Sequence, residues 1–104
     1  MFQIMRKVLH ALRTPERLEI QSRVAAAYAR AFFDEWGFDA ITVNPYLGED
    51  SLAPFLAYEG KGVIIVCKTS NPGGGDFQDL PVGQATLFET VAERAVVWSV
   101  RYPA

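Results

Sequence analysis

Residues Val63-Ile64-Ile65-Val66-Cys67 form an unbroken apolar run that gives way, within two residues, to Thr69-Ser70-Asn71-Pro72-Gly73-Gly74-Gly75-Asp76. Four of the five residues in the run are β-branched, which suits a pleated strand better than a helix. The run is apolar at consecutive positions, so both faces of the strand expect cover, as in a parallel sheet. The break is equally informative. Asn-Pro and the glycines stop the strand and start a loop of small side chains and accessible backbone amides. In α/β proteins, ligands sit in loops of this kind, just outside the carboxyl ends of the strands.

A shorter version of the same device lies upstream. Phe38-Asp39-Ala40-Ile41-Thr42-Val43 reads as a strand and stops at Asn44-Pro45-Tyr46-Leu47-Gly48. Helical patterns surround the two strands. Phe2 to Leu12 is amphipathic, with Met5, Val8, Leu9 and Leu12 at helical spacing. Thr14-Pro15-Glu16 is a helix start, combining an N-cap hydroxyl, a proline in the first turn and an acid at the positive end of the dipole. That pattern continues to Trp36, with Leu18, Ala25, Tyr28, Phe32 and Trp36 along one side, and Gly37 can end it in the left-handed conformation. Glu49 to Tyr58 is a further helix, with Pro54 assigned to its first turn and Gly60-Lys61-Gly62 closing it. Thr86-Leu87-Phe88-Glu89 has the spacing of a capping box and opens the last helix, which runs through Trp98.

The order helix, helix, strand, helix, strand, helix predicts an α/β fold with parallel strands joined by right-handed crossovers. Two strands are too few for an independent sheet, and both are edges. The expectation is a partial (β/α) barrel-like unit of two parallel strands and four helices, completed by oligomerisation through strand or segment exchange. Residues 1–24 are assigned to an N-terminal helical segment and residues 25–104 to the β/α segment.

The remaining composition mainly excludes. A chain of 104 residues with a formal charge of -2 has no basic stripe for nucleic-acid phosphates. No apolar stretch reaches membrane-spanning length, and Met1 to Lys7 does not introduce a secretory signal. The single Cys67 cannot close an internal disulfide, which points to a reducing, cytoplasmic setting, and its place in the strand marks it as a small buried hydrophobe. The single His10 has no partner ligand nearby, so no metal is expected. Gly73-Gly74-Gly75 lacks a phosphate loop's Lys-Ser/Thr and reads as a flexible loop. The acid pairs Asp34-Glu35 and Glu49-Asp50 sit at helix ends and read as solvated caps. Tyr28, Phe32, Phe33 and Trp36 read as core or interface.

Ala40-Ile41-Thr42-Val43-Asn44-Pro45-Tyr46-Leu47-Gly48-Glu49-Asp50-Ser51-Leu52, with Thr69-Ser70-Asn71-Pro72-Gly73 and Asp76-Phe77-Gln78-Asp79-Leu80, closely resembles the longer-chain bacterial orotidine 5′-phosphate decarboxylases. Tyr28-Ala29-Arg30-Ala31-Phe32 and Phe88-Glu89-Thr90-Val91-Ala92-Glu93 extend the resemblance, which covers Ala25 to Trp98, a central slice of a (β/α)8 barrel. It implies cofactor-independent decarboxylation of orotidine monophosphate to uridine monophosphate. It implies that Ser70 hydrogen-bonds the pyrimidine amide edge with Pro72 beside the base, and that Thr42 and Asn44 stand at the adjacent strand end. The family's catalysis rests on an alternating Lys/Asp array, in which an ammonium stabilises and protonates the developing carbanion. Here the corresponding segment, Thr14 to Ser22, shares Arg17, Ile20 and Ser22 with the family. It has no lysine, because none lies between Lys7 and Lys61. The later barrel segment that grips the 5′-phosphate has no counterpart. The resemblance therefore assigns no catalytic residue. It leaves three functions open: an enzyme, as a decarboxylase slice that is inactive alone and reports the family activity after assembly, a non-catalytic self-assembling barrel fragment, and a weak pyrimidine-nucleotide binding module.

Overall fold

The computed structural model describes residues 18–103, with side chains from Arg23 onward. The expected helix Phe2–Leu12 and the cap at Thr14-Pro15 lie outside the described residues. The fold is α/β, with one parallel strand pair and three α-helices among those residues. Helix α1 (Leu18–Arg30) passes into a π-helical turn at Ala31–Glu35, and strand β1 (Ala40–Val43) follows. A 3-10 turn (Pro45–Leu47) leads to helix α2 (Glu49–Leu56), then to strand β2 (Gly62–Ile65) and a second 3-10 turn (Pro72–Asp76). Strands β3 (Pro81–Val82) and β4 (Ala85–Thr86) form a small hairpin ahead of helix α3 (Leu87–Arg101).

β1 and β2 pair in parallel, Ala40 opposite Gly62 and Val43 opposite Ile65. Because side chains alternate across a strand, Ile41, Val43, Val63 and Ile65 point to one face. That face packs on the core of Ala25, Ala29, Phe33, Leu52, Phe55 and Trp98. The other face carries Ala40, Thr42, Gly62 and Ile64, all exposed.

Several expectations shift in position. From Arg23 onward, the buried stripe of α1 and the turn after it is Ala25, Ala29 and Phe33, while Tyr28 and Phe32 are half-buried and Trp36 is 61% exposed. The two alanines let α2 approach closely, and the large aromatics are left at the rim. There, Phe32 packs against Tyr28, Trp36 and Phe38. The π turn, closed by Trp36 N–H on Ala31 O at 2.9 Å, also shifts the aromatics relative to a regular helix. Gly37 takes φ 66°, as the stop requires. Phe38 and Asp39 precede the strand instead of starting it, and their carbonyls accept from Lys61 Nζ (2.9 Å) and Gly62 N–H (2.8 Å). Pro54 lies inside α2 rather than in its first turn. Proline has no amide hydrogen, so residue 54 cannot make the regular helical bond to the Asp50 carbonyl.

The hairpin β3–β4 forms where the sequence pattern predicts no strand. Pro81-Val82-Gly83-Gln84-Ala85-Thr86 is too short to display strand alternation, and only Gly83, at φ 63°, marks the turn. The capping box appears as expected. Thr86 Oγ1 accepts from Glu89 N–H at 3.4 Å, and Glu89 Oε1 accepts from Thr86 N–H at 3.2 Å. No helix among the described residues is long and apolar enough to cross a membrane.

Candidate functional site

Parallel pairing makes the loops after β1 and β2 leave the sheet at the same, carboxyl, end. Thr42 lies on the bare face of β1, opposite Ile64 in the register. Asn44 follows the strand, and its Oδ1 accepts from Tyr46 N–H at 3.0 Å, capping the 3-10 turn that Pro45 begins. Asn44 is thus committed to shaping its own loop through that oxygen. Tyr46 at the loop tip is 88% exposed.

The second loop is more tightly built. Val66 N–H donates to Val43 O at 3.0 Å, carrying the sheet one bond past β2. Cys67 is half-buried just beyond the strand, with Sγ 3.6 Å from Ile65 O, so it is less enclosed than its apolar neighbours suggested. Lys68 pairs with Asp79 at 2.9 Å and lies 4.3 Å from the centre of the Phe88 ring. Both charged groups are about half exposed, so the ion pair contributes little by itself, about 0–1 kcal/mol. Thr69 N–H donates to Gln78 Oε1 at 2.8 Å, and Gln78 Nε2 donates to Thr69 Oγ1 at 3.0 Å. Pro72 opens the 3-10 turn, Gly74 N–H closes on Asn71 O at 3.0 Å, and Gln78 N–H closes on Gly74 O at 3.1 Å.

The glycine run is therefore an ordered turn, not the flexible loop that its composition suggested. Gly74 is buried, and a Cβ there would stand 2.9 Å from Thr69 Oγ1 and 3.1 Å from Gln78 Oε1. Ser70 is exposed at the outer edge of this turn, one residue from the clamped Thr69. The four sequence-predicted positions thus belong to the carboxyl-terminal parts of the two strand–loop units, with Thr42 on β1 and Asn44 just after it, and Ser70 and Pro72 on the loop after β2. Gln78 and Thr69 carry the loop's architecture and had no signal of their own, since residues nine apart in a loop follow no periodicity.

The acid pairs are more than solvated caps. Asp34 Oδ2 accepts from Tyr58 OH at 2.8 Å, joining the π-helical turn after α1 to the segment just beyond α2, and that hydrogen bond pushes the Tyr58 phenol above its ordinary value. Glu49 accepts from Arg101 Nη1 at 2.7 Å on Oε1 and 2.5 Å on Oε2, and Tyr102 OH lies 3.4 Å from Oε1. The Arg101 hydrogen bond, its charge and the Tyr102 hydroxyl hold the Glu49 carboxyl below its usual range against a smaller opposing effect of burial. These contacts brace α2 against the end of α3. A separate open cleft of about 460 Å³ lies between α2, β2 and α3, lined by Tyr58, Lys61, Ser99 and Tyr102 among others. It includes none of the four predicted positions.

The family model described as "Orotidine 5'-phosphate decarboxylase / HUMPS family" matches residues 21–100. The chain belongs to this family. Among curated relatives it is 53% identical over 79 residues to an orotidine 5'-phosphate decarboxylase of Thermomicrobium roseum, covering 74% of this chain and 28% of the relative. It is 58% identical over 69 residues to the Aromatoleum aromaticum enzyme of the same name, covering 65% and 26%. The structure superposes on Leishmania donovani OMP decarboxylase with TM-score 0.72 and 50% identity, covering 74% of this chain and 31% of that one. The Leishmania donovani UMP synthase structure gives TM-score 0.74 and 49% identity, over 76% and 18%. The chain thus spans between a quarter and a third of the length of the curated relatives it matches.

Proposed function

We propose that this chain supplies one wall of a pyrimidine-nucleotide site of the orotidine 5′-phosphate decarboxylase type, and that by itself it does not decarboxylate orotidine monophosphate. The observation that carries the reading is Ser70, exposed on an ordered loop at the carboxyl end of a parallel pair. A serine hydroxyl there can both donate to and accept from an amide edge. Pro72 beside it offers an apolar surface to a base, and Thr42 and Asn44 line the neighbouring strand end. The lack of turnover follows from the absence of any lysine between Lys7 and Lys61. Removing one preorganised charge from such a site costs orders of magnitude in rate. The test is an assay of the purified chain with orotidine monophosphate. No carbon dioxide release above background is expected, and robust turnover by the chain alone overturns the reading.

A second reading has its own support. Ile64 on the bare sheet face is 58% exposed, and Val96 and Val100 on α3 are 65% and 78% exposed. Apolar surface of this kind favours a non-catalytic barrel fragment that completes itself with a second copy. Sedimentation combined with a uridine monophosphate titration separates the two. Assembly without binding selects self-association alone. Binding that disappears in Ser70→Ala selects the nucleotide wall. A monodisperse monomer overturns self-association. Such a protein works in the cytoplasm, with no cofactor and with neither nucleic acid nor membrane as partner.

A further inference from the structure

One side chain holds the Ser70 loop, and it is used twice. Gln78 Oε1 accepts from Thr69 N–H at 2.8 Å while Gln78 Nε2 donates to Thr69 Oγ1 at 3.0 Å. The Thr69 amide can only donate, so Oε1 faces it. The Thr69 hydroxyl donates to Asn71 Oδ1 at 2.5 Å, with Gln78 Oε1 a more distant acceptor at 3.4 Å, and Oγ1 accepts from Gln78 Nε2. The pair therefore fixes which way the carboxamide faces and requires an acceptor and a donor at one residue. The main chain of Gln78 ties the same point to two other elements. Its N–H closes the glycine turn on Gly74 O at 3.1 Å, and its carbonyl accepts from Phe88 N–H in the first turn of α3 at 3.0 Å. The absent side chain of Gly74 makes room for the clamp, since a Cβ would press on both Thr69 Oγ1 and Gln78 Oε1. Ser70, next along the chain, is exposed and takes no part in these bonds.

We propose that Gln78 is the positioning residue of this site: its carboxamide clamps Thr69 at two points and so sets where the Ser70 hydroxyl stands, without itself touching the ligand. The proposal rests on the reading of Ser70 as a nucleotide contact. It predicts a graded series. Gln78→Met keeps the volume and loses both bonds. Gln78→Glu keeps the acceptor for Thr69 N–H and loses the donor. Gly74→Ala breaks the clamp from the opposite side.

The experiment uses the full chain, 15N-labelled, with amide hydrogen exchange followed residue by residue. A helical circular-dichroism spectrum confirms that each variant folds. In Gln78→Met, exchange at Thr69 is expected to rise at least ~10-fold, while Gly62 and Val66, bonded within the sheet region, stay within ~2-fold. Gln78→Glu falls between wild type and Gln78→Met. Uridine monophosphate is then titrated while the Ser70 amide signal is followed, and about tenfold weaker binding is expected in Gln78→Met, with Gln78→Glu again intermediate. Unchanged Thr69 exchange in Gln78→Met overturns the clamp. Nucleotide affinity equal to wild type in Gln78→Met overturns its positioning role. Wild-type behaviour of Gln78→Glu in both measurements overturns the two-point requirement. If wild type gives no uridine monophosphate response, the nucleotide reading of Ser70 fails, and the exchange series alone decides whether Gln78 holds the loop.

Discussion

The two faces of the β1–β2 pair come from alternating residues of the same two short strands and have opposite surroundings. Ile41, Val43, Val63 and Ile65 meet a core of Ala29, Phe33, Leu52 and Phe55. Ala40, Thr42, Gly62 and Ile64, one residue out of phase, meet nothing comparable and are exposed. The difference lies in what each face carries. The helix-facing side gains its stabilisation from burial within the chain. The bare side carries Thr42 and leads to the loops of the candidate site, and its apolar surface gains only when something covers it.

The largest effect expected from this contrast is on the covered side. Phe33 is 3% exposed and packs against Phe55 and Tyr58. Phe33→Ala should cost about 3–5 kcal/mol in urea unfolding, a large share of the ~5–15 kcal/mol typical of a domain. A loss below ~1 kcal/mol would mean that this face does not hold the fold. The next prediction concerns Thr86→Ala, which removes the hydroxyl of the capping box far from either face and should cost ~1 kcal/mol. It calibrates what a local helix signal contributes beside a long-range packing contact.

On the bare side, Ile64→Lys should change unfolding of the single chain by no more than ~0.5 kcal/mol while shifting any assembled species toward monomer in sedimentation. Several kcal/mol lost in the monomer would show that the face is covered from within, and the contrast would collapse.

The smallest effect is on pH dependence. Glu49, held below its ordinary carboxylate range by Arg101, contributes stability that is fully present above its unfolded value. That contribution is lost as pH falls through the lowered folded value, so wild type should lose stability relative to Glu49→Gln as pH drops below about 4.5. Parallel stability–pH curves for the two proteins would mean that the Arg101 contact does not brace α3 against α2.

The alternation of short apolar strands with helices was readable because each element announces itself within its own few residues. β-branched runs, Asn-Pro stops and the Thr86/Glu89 spacing are all local. The sequence groups Tyr28, Phe32, Phe33 and Trp36 as core or interface, and of these four only Phe33 is buried, while Trp36 is exposed. Helical periodicity gives a face, and only the approach of α2 decides which edge of that face is buried. Strand ends drifted by two residues at both Phe38 and Val66 because the ladder stops where pairing stops, which a single strand does not encode. At the candidate site, family resemblance pointed to Ser70, Pro72, Thr42 and Asn44, while Gln78 was visible only as a member of a motif.

The sequence by itself therefore determined the α/β alternation, the parallel sense of the pair, the capped start of α3 and the family, because these depend on local propensity and on residue identity. Tertiary structure alone decided that Gly73-Gly74-Gly75 is an ordered turn, that Gln78 holds Thr69, and that Glu49 reaches Arg101 across 52 residues. Each of those facts depends on which distant groups come within about 3 Å of one another, and hydrogen bonding at that range has no periodic trace along the chain.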